Sequence, residues 1–133
     1  WVLDQPQVRH LGVLNKNELG AAFASADCVV VPNIEPGNGE YEGFGLVAVE
    51  AAAAGGVVLA ADHGGLKDAV IDGETGILLP VADASAWSRK IREVSQWSKK
   101  ERAQFTARSV EKVREHYNWQ RVAKQIFELC EDR

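Results

Sequence analysis

Two glutamates bracket a short glycine-containing segment, EGFGLVAVE, which runs from Glu42 to Glu50. Glu50 is the single ionisable side chain between Glu42 and the Gly-Gly pair that ends the following apolar run. A buried carboxylate without a partner costs several kcal/mol, so Glu50 must reach solvent, pair with another side chain or receive a ligand. Because a carboxylate accepts hydrogen bonds from two neighbouring hydroxyls, it suits a vicinal diol such as a ribose.

The backbone between the glutamates offers hydrogen-bond donors of another kind. Gly43 and Gly45 carry no side chain that would keep a ligand from the main chain. The apolar segment predicts a helix, and the amides of its first turn, from about Phe44 to Val47, lack intrahelical acceptors. With the helix dipole they suit a phosphate or sugar oxygen. Glu50 lies one turn beyond Leu46 on the same face, so its carboxylate reaches the same ligand.

Each glutamate also has an interpretation that needs no ligand. Glu42 is then a solvated loop acid, and Glu50 forms an internal salt bridge with Lys67 as the candidate partner. The three histidines lack the spacing of metal ligands, so we expect no bound metal. Two cysteines, Cys28 and Cys130, lie in apolar segments, which predicts reduced and buried thiols in a cytoplasmic protein.

Strands and helices alternate around this segment. VRHLGVL at 8–14 predicts a short strand, and Asn15 with Glu18 three residues later predicts a capping box that opens a helix to about Ala26. The run CVVV predicts a strand covered on both faces. After the Ala-rich helix and its Gly-Gly stop, VVLAA and ILL predict two further strands, with a short helix between them. Alternating strands and helices imply a parallel sheet with helices on both faces.

The last third of the chain predicts helices. Residues 85–133 are interpreted as a helical tail of one domain that spans 1–133. The terminal helix carries one continuous apolar stripe, made by Trp119, Val122, Ala123, Ile126, Phe127 and Cys130. The chain contains no Met and begins at Trp1, so we expect a fragment or a processed product. The predicted fold class is α/β, with a Rossmann-like parallel sheet and a helical C-terminal tail.

Charge is distributed unevenly along the chain. The net charge is −4; residues 1–84 hold 12 acidic and 3 basic side chains, whereas residues 85–133 hold 7 acidic and 12 basic ones. On amphipathic helices this predicts a solvated face, with contact to a membrane surface or an acidic partner as the alternative. Nucleic acid is not expected as a partner, because no aromatic side chains interleave the basic ones.

EGFGLVAVE, with seven residues between its glutamates, resembles the Glu-x7-Glu signature of retaining glycosyltransferases of the GT-B fold, especially glycosyltransferase family 4 (group 1). The resemblance covers nearly the whole chain and includes VRHLGVL, ASAD, VVVP, VVLAADHGGLKDAV, IDGETGILLP and YNW with its terminal helix. It implies the C-terminal, nucleotide-sugar-binding half of such an enzyme.

The resemblance also implies roles for individual residues. Glu50 binds the ribose hydroxyls of the donor, and Glu42, the catalytic candidate, lies beside the transferred sugar. The backbone that follows Glu42 contacts sugar and phosphate through Gly43, Phe44, Gly45, Leu46 and Val47. The segment Gly12, Val13 and Leu14 borders the nucleobase.

The implied activity is retaining transfer of a glycosyl group from a UDP-, GDP- or ADP-sugar to an acceptor hydroxyl, with no further cofactor. The N-terminal acceptor domain, a catalytic His and an Arg and Lys that neutralise the pyrophosphate are absent from these residues. We therefore expect the chain alone to bind a donor without turnover. Two alternatives stay open: a noncatalytic sugar-nucleotide-binding partner or sensor, and another GT-B enzyme such as a phosphorylase or epimerase. The expected location is cytoplasmic, with peripheral membrane contact through the basic helices.

Overall fold

A three-stranded parallel sheet forms the centre of the structure. The computed structural model describes residues 5–34 and 44–131. In register, Leu59 lies between Val30 on one side and Ile77 on the other. The strands pair in the order β1 (Val29–Val31), β2 (Val58–Ala61) and β3 (Ile77–Leu79). The parallel sheet predicted from the alternation of elements is confirmed.

Six helices occur in these ranges: α1 (Lys16–Ser25), α2 (Leu46–Ala53), α3 (Leu66–Ala69), α4 (Ala84–Ser95), α5 (Lys99–His116) and α6 (Trp119–Glu131). The capping box predicted for α1 is confirmed, because the Asn15 side chain accepts from the Glu18 amide and the Glu18 carboxylate accepts from Asn15 N at 2.9 Å.

The Gly-Gly pair ends α2 as predicted. Gly55 has φ of 87° and donates its amide to Ala52 O at 3.0 Å, and Gly56 donates to Ala51 O at 2.9 Å. This pairing is a Schellman motif, in which a left-handed glycine lets two terminal amides satisfy the last carbonyls of a helix. The chain then turns directly into β2.

Helices cover both faces of the sheet, as predicted. Side chains on β2 alternate, so two buried clusters form on opposite sides. One cluster joins Val58 and Ala60 to α2, α3 and α5 through Ala48, Ala51, Ala52, Leu66 and Val113. The other joins Val57 and Leu59 to α4 and α5 through Val94 and Phe105.

The α5 helix is tied to the rest of the domain at several points along its length. Near its start, Arg102 donates to Ala26 O at 3.2 Å and forms an ion pair with Asp27 at 3.5 Å. Further along, the buried Ser109 hydroxyl donates to Thr75 O at 3.3 Å. These contacts fix the orientation of α5 and therefore the position of its C-terminal end.

Two expectations for the first part of the sheet are wrong. Residues 8–14 form no strand, and Leu11 and Val13 are 51% and 102% exposed. A strand needs a hydrogen-bonding neighbour, and the described part of the chain provides none for this segment. β1 is also not covered on both faces, since Val30 is 40% exposed. The outer edge of β1 has no paired strand within the described residues, which leaves Val30 accessible.

The terminal helix forms as predicted, but its apolar stripe is not buried. Trp119, Ile126 and Phe127 are 86%, 55% and 69% exposed. The prediction of two buried thiols is wrong for Cys130, which is exposed, whereas Cys28 is half-buried; both are free thiols. Amphipathic periodicity specifies a helix but not the surface that covers it, and no described element buries this stripe. None of the described helices is both long and apolar enough to cross a membrane.

Candidate functional site

The three parallel strands end at one edge of the sheet. Parallel strands place their carboxyl ends on the same side, and ligands of open α/β sheets bind at that side. β1 leads through residues 32–45 into α2, β2 through 62–65 into α3, and β3 through 80–83 into α4. The first turn of α2 therefore lies at the edge where a ligand is expected.

Gly45 fixes the position of this first turn. It is the buried N-cap of α2 with φ of 77° and ψ of 42°, a left-handed conformation that disfavours residues with a Cβ. A Cβ built at Gly45 would lie 2.5 Å from Leu66 Cδ2 and 3.5 Å from Ala69 Cβ. The missing side chain thus allows α2 to begin directly against α3. Its Cβ direction faces protein, so Gly45 does not leave space for a ligand in the way that we expected.

The first turn of α2 presents two backbone donors. Ala48 donates its amide to Gly45 O at 2.9 Å. Within residues 5–34 and 44–131, the amides of Leu46 and Val47 have no hydrogen-bond acceptor. These are the groups that the start of a helix leaves without intrahelical partners, and they carry the positive end of the helix dipole.

The Glu50 carboxylate lies on the solvent face of α2. Ala48, Ala51 and Ala52 bury the opposite face, while Leu46 is 63% exposed one turn before Glu50. No salt bridge joins Glu50 to another side chain of the described residues. The alternative of an ion pair with Lys67 is wrong, because Lys67 Nζ pairs with Asp62 Oδ1 at 3.3 Å. Glu50 avoids the cost of burial by facing water, with its carboxylate accessible.

Tyr117 contacts the start of this site from the end of α5, and sequence reasoning missed it. Its ring packs edge-on against Phe44, with centroids 6.0 Å apart and planes at 73°. Its hydroxyl donates to Asp68 O at 2.7 Å. Burial raises the pKa of the Tyr117 hydroxyl and the Asp68 carboxylate raises it further, so the group stays protonated and donates. The YNW motif marked this tyrosine as part of the resemblance, but not its contact with Phe44.

Five predicted site residues either fall outside the described residues or have no described contact with the first turn of α2. Glu42 and Gly43 lie outside the described residues. Gly12 and Val13 are exposed and Leu14 is half-buried. They precede α1, and no described hydrogen bond or ion pair joins them to the first turn of α2. The roles that the resemblance implies for these five residues stay predictions.

Neither a metal site nor an activated nucleophile is present among the described residues. The described residues contain no group of three or more His, Cys, Asp or Glu side chains that could hold a metal ion. Burial raises the pKa of the Cys28 thiol, the Asp27 carboxylate raises it further, and Arg102 partly opposes both. Because the thiolate is the reactive form, Cys28 is a poor nucleophile at neutral pH.

A parallel sheet with helices on both faces, and a helix start at its carboxyl edge, define a Rossmann-like α/β domain. The family model of glycosyl transferases group 1 matches residues 3–112, and the chain belongs to this family.

Three curated relatives that match this chain are longer proteins. A glycogen synthase of Mycobacterium tuberculosis (strain ATCC 25618 / H37Rv) is 35% identical, over 92% of this chain and 30% of that protein. A D-inositol 3-phosphate glycosyltransferase of Salinispora tropica is 33% identical, over 92% and 24%. A phosphatidyl-myo-inositol mannosyltransferase of Mycobacterium leprae is 36% identical, over 93% and 31%. The chain thus spans less than a third of the length of these relatives.

Solved structures agree on the fold. Sucrose-phosphate synthase from Thermosynechococcus elongatus superposes with a TM-score of 0.70 and 33% identity, over 92% of this chain and 29% of that one. Anabaena HepE, solved in complex with UDP, superposes with a TM-score of 0.68 over 84% and 29%; at 24% identity this likeness shows the fold alone. The predicted fold, the Rossmann-like C-terminal half of a GT-B enzyme with a helical C-terminal segment, is confirmed.

Proposed function

We propose that this chain is the donor-binding part of a retaining glycosyltransferase that takes its sugar from a nucleotide diphosphate. The start of α2 carries the proposal, because the amides of Leu46 and Val47 have no acceptor within the described residues and the exposed Glu50 follows one turn later. Amides at the positive end of a helix suit diphosphate or sugar oxygens, and a carboxylate suits ribose hydroxyls. Membership of the glycosyl transferases group 1 family makes a sugar donor the natural ligand for this combination.

The remaining predicted residues complete the proposed donor site. Glu42 lies beside the transferred sugar, the backbone of Gly43 and Phe44 contacts sugar and phosphate, and residues 12–14 border the nucleobase. In the proposed reaction the acceptor oxygen forms the new bond to the anomeric carbon on the face from which the diphosphate leaves. The leaving diphosphate takes the acceptor proton. Catalysis then depends on placing donor and acceptor and on stabilising the charge of the leaving group.

The whole protein is proposed to supply the positive charge that this part lacks. Residues 1–84 contain only three basic side chains, and one of them, Lys67, already pairs with Asp62. A diphosphate bound at α2 would meet little compensating charge from these residues. We therefore propose that residues 1–133 alone bind a donor weakly and do not turn it over. Product formation by the purified 133-residue chain would contradict this.

The test of the function uses the whole protein that contains this domain. We expect isothermal titration with UDP-, GDP- and ADP-glucose to show saturable binding of at least one of them. With an acceptor sugar, proton NMR of the first product formed should show the anomeric configuration of the donor. Inversion of that configuration would contradict retention, and binding without transfer to any acceptor would favour the noncatalytic sensor.

We further propose that the N-terminal acceptor domain of the same protein covers the apolar stripe of α6. Phe127 and Ile126 are exposed in this chain, and the chain spans less than a third of the length of its relatives. Phe127→Glu in the whole protein should lower its melting temperature and speed hydrogen exchange in α6, because a charge replaces a buried apolar contact. Gln125→Glu, at an exposed position on another side of the helix, is the matched control. Equal effects of the two variants would exclude the stripe as an interface.

A second candidate property is peripheral membrane contact by a cytoplasmic enzyme. One relative is named for a phosphatidyl-myo-inositol acceptor, and Arg89 and Arg92 of α4 are exposed, whereas Lys90 pairs with Glu93 at 2.7 Å. We expect the whole protein to bind vesicles containing phosphatidylinositol, with affinity that falls as salt rises, and Arg89→Glu/Arg92→Glu to weaken binding several-fold. Vesicle binding that ignores both salt and these charge reversals would rule out this role for α4.

A further inference from the structure

We infer that Tyr117 is a positioning residue for the donor-binding turn: its ring holds Phe44, and with Phe44 the entry of the chain into α2. The inference rests on the proposed donor site and adds a residue from the far end of α5 to it. Tyr117 does not touch the proposed ligand-binding atoms, so its effect on the donor passes through Phe44.

The contact with Phe44 occurs immediately before the helix start. Phe44 precedes the left-handed N-cap Gly45, which is followed by Leu46 and Val47, the two residues whose amides have no acceptor within the described residues. Phe44 is 37% exposed, and Tyr117 meets its ring at a centroid distance of 6.0 Å. An edge-on aromatic pair of this geometry is directional as well as apolar. Tyr117 therefore restricts where Phe44 can lie.

Tyr117 is itself held firmly enough to act as a support. Its amide donates to Val113 O at 2.8 Å, its hydroxyl donates to Asp68 O at 2.7 Å, and the His116 ring packs edge-on at 4.9 Å. Asp68 belongs to α3, the same helix whose Leu66 packs against the backbone of Gly45. The start of α2, the end of α3 and the end of α5 thus meet around this one side chain.

This arrangement predicts an effect on donor binding in addition to any effect on folding. Hydrogen bonds from backbone amides weaken steeply when the donor moves by a few tenths of an ångström or turns away from its acceptor. The core does not depend on Phe44, because Ala48, Ala51 and Ala52 bury α2 without it. Tyr117 itself packs against this core cluster, so Tyr117→Leu should also lower the melting temperature, whereas Tyr117→Phe keeps the ring in the core and loosens only the helix entry.

The test compares three variants of the whole protein with UDP-glucose as the probe, or with ADP- or GDP-glucose if the wild type binds that donor instead. Tyr117→Leu removes the ring, and Tyr117→Phe keeps the ring but removes the bond to Asp68. Phe105→Leu is the matched control, because Phe105 pairs with Trp97 at 5.3 Å in the cluster on the other face of the sheet. Donor Kd, donor and acceptor KM, and melting temperature are measured for each.

We expect donor Kd and KM to rise about tenfold in Tyr117→Leu and about threefold in Tyr117→Phe, the size of one aromatic pair and one neutral hydrogen bond. Acceptor KM should not change, and Phe105→Leu should lower the melting temperature while donor Kd stays within about twofold. Tyr117 variants that bind the donor as Phe105→Leu does would overturn the inference. If Tyr117→Leu does not fold, wild-type affinity in Tyr117→Phe overturns it. Absence of donor binding by the wild type would instead refute the proposed function.

Discussion

Replacing Glu50 by Gln is expected to weaken binding of the donor nucleotide sugar to the whole protein by roughly 10- to 150-fold. Hydrogen bonds to a charged group contribute about 1.5–3 kcal/mol, and the amide that replaces the carboxylate keeps its shape but not its charge. The Glu50 side chain is exposed and has no ion pair within the described residues. Its removal should therefore change the free energy of unfolding by less than about 0.5 kcal/mol. Isothermal titration and denaturant unfolding measure the two quantities separately.

The matched control for this substitution is Glu111→Gln, an exposed glutamate on α5 away from the carboxyl edge of the sheet. It should change neither donor affinity nor stability. A donor that lacks the ribose 2′- and 3′-hydroxyls gives a stricter test, because it removes the groups that Glu50 is proposed to bind. Wild type and Glu50→Gln should bind that analogue equally. If the substitution costs the same affinity with the analogue as with the normal donor, the ribose assignment is wrong.

Replacing Gly45 by Ala is expected to lower the free energy of unfolding by about 2–5 kcal/mol. The left-handed conformation costs a residue with a Cβ about 1–2 kcal/mol, and an added methyl in a packed region costs about 1–3 kcal/mol more. The new methyl would lie 2.5 Å from Leu66 Cδ2, and Leu66 is fully buried, so it has little room to move. Relief of the clash would tilt the start of α2, so donor affinity should fall as well. Denaturant unfolding of the whole protein, followed in this domain by fluorescence, measures the stability loss.

Gly55→Ala separates the two contributions to this loss. Gly55 also has a positive φ, 87°, but a Cβ there would meet nothing within 4 Å. It should therefore show only the conformational part, about 1–2 kcal/mol. A second check is Gly45→Ala/Leu66→Ala, in which the shortened side chain makes room for the methyl, so the double variant should lose less than the two single losses combined. Equal losses in Gly45→Ala and Gly55→Ala would show that contact with α3 does not matter.

Local sequence signals predicted the elements of the fold well. Asn15 and Glu18 start α1 through a capping box, and Gly55 and Gly56 end α2 through a Schellman motif. Both devices act between residues that are close in sequence, so their geometry follows from a few adjacent side chains and dihedral angles. The alternation of such helices with apolar runs was enough to predict the parallel sheet and its two layers of helices.

Burial was predicted less well, because it depends on partners that periodicity does not name. The run CVVV predicted full coverage, yet Val30 is 40% exposed, since β1 has no described strand at its outer edge. Residues 8–14 were predicted as a strand, but the described part of the chain offers no neighbouring strand with which they could pair. The apolar stripe of α6, which begins at Trp119, has the pattern of a buried face. It is exposed because no other element of the described residues covers it.

For the candidate site, the sequence by itself determined the chemistry: a carboxylate at Glu50, one helical turn beyond a helix start that follows a strand, and a motif whose resemblance indicated the family. The residue types and their spacing within one segment are enough to determine this chemistry, because they specify which side chains and backbone groups lie near the start of the helix. Only the tertiary structure decided that Glu50 faces water, that Gly45 is needed for contact with Leu66, and that Tyr117 supports Phe44. Tyr117 and its hydrogen-bond partner Asp68 lie 49 residues apart in sequence, and contacts of that range arise only when separate helices pack on one sheet.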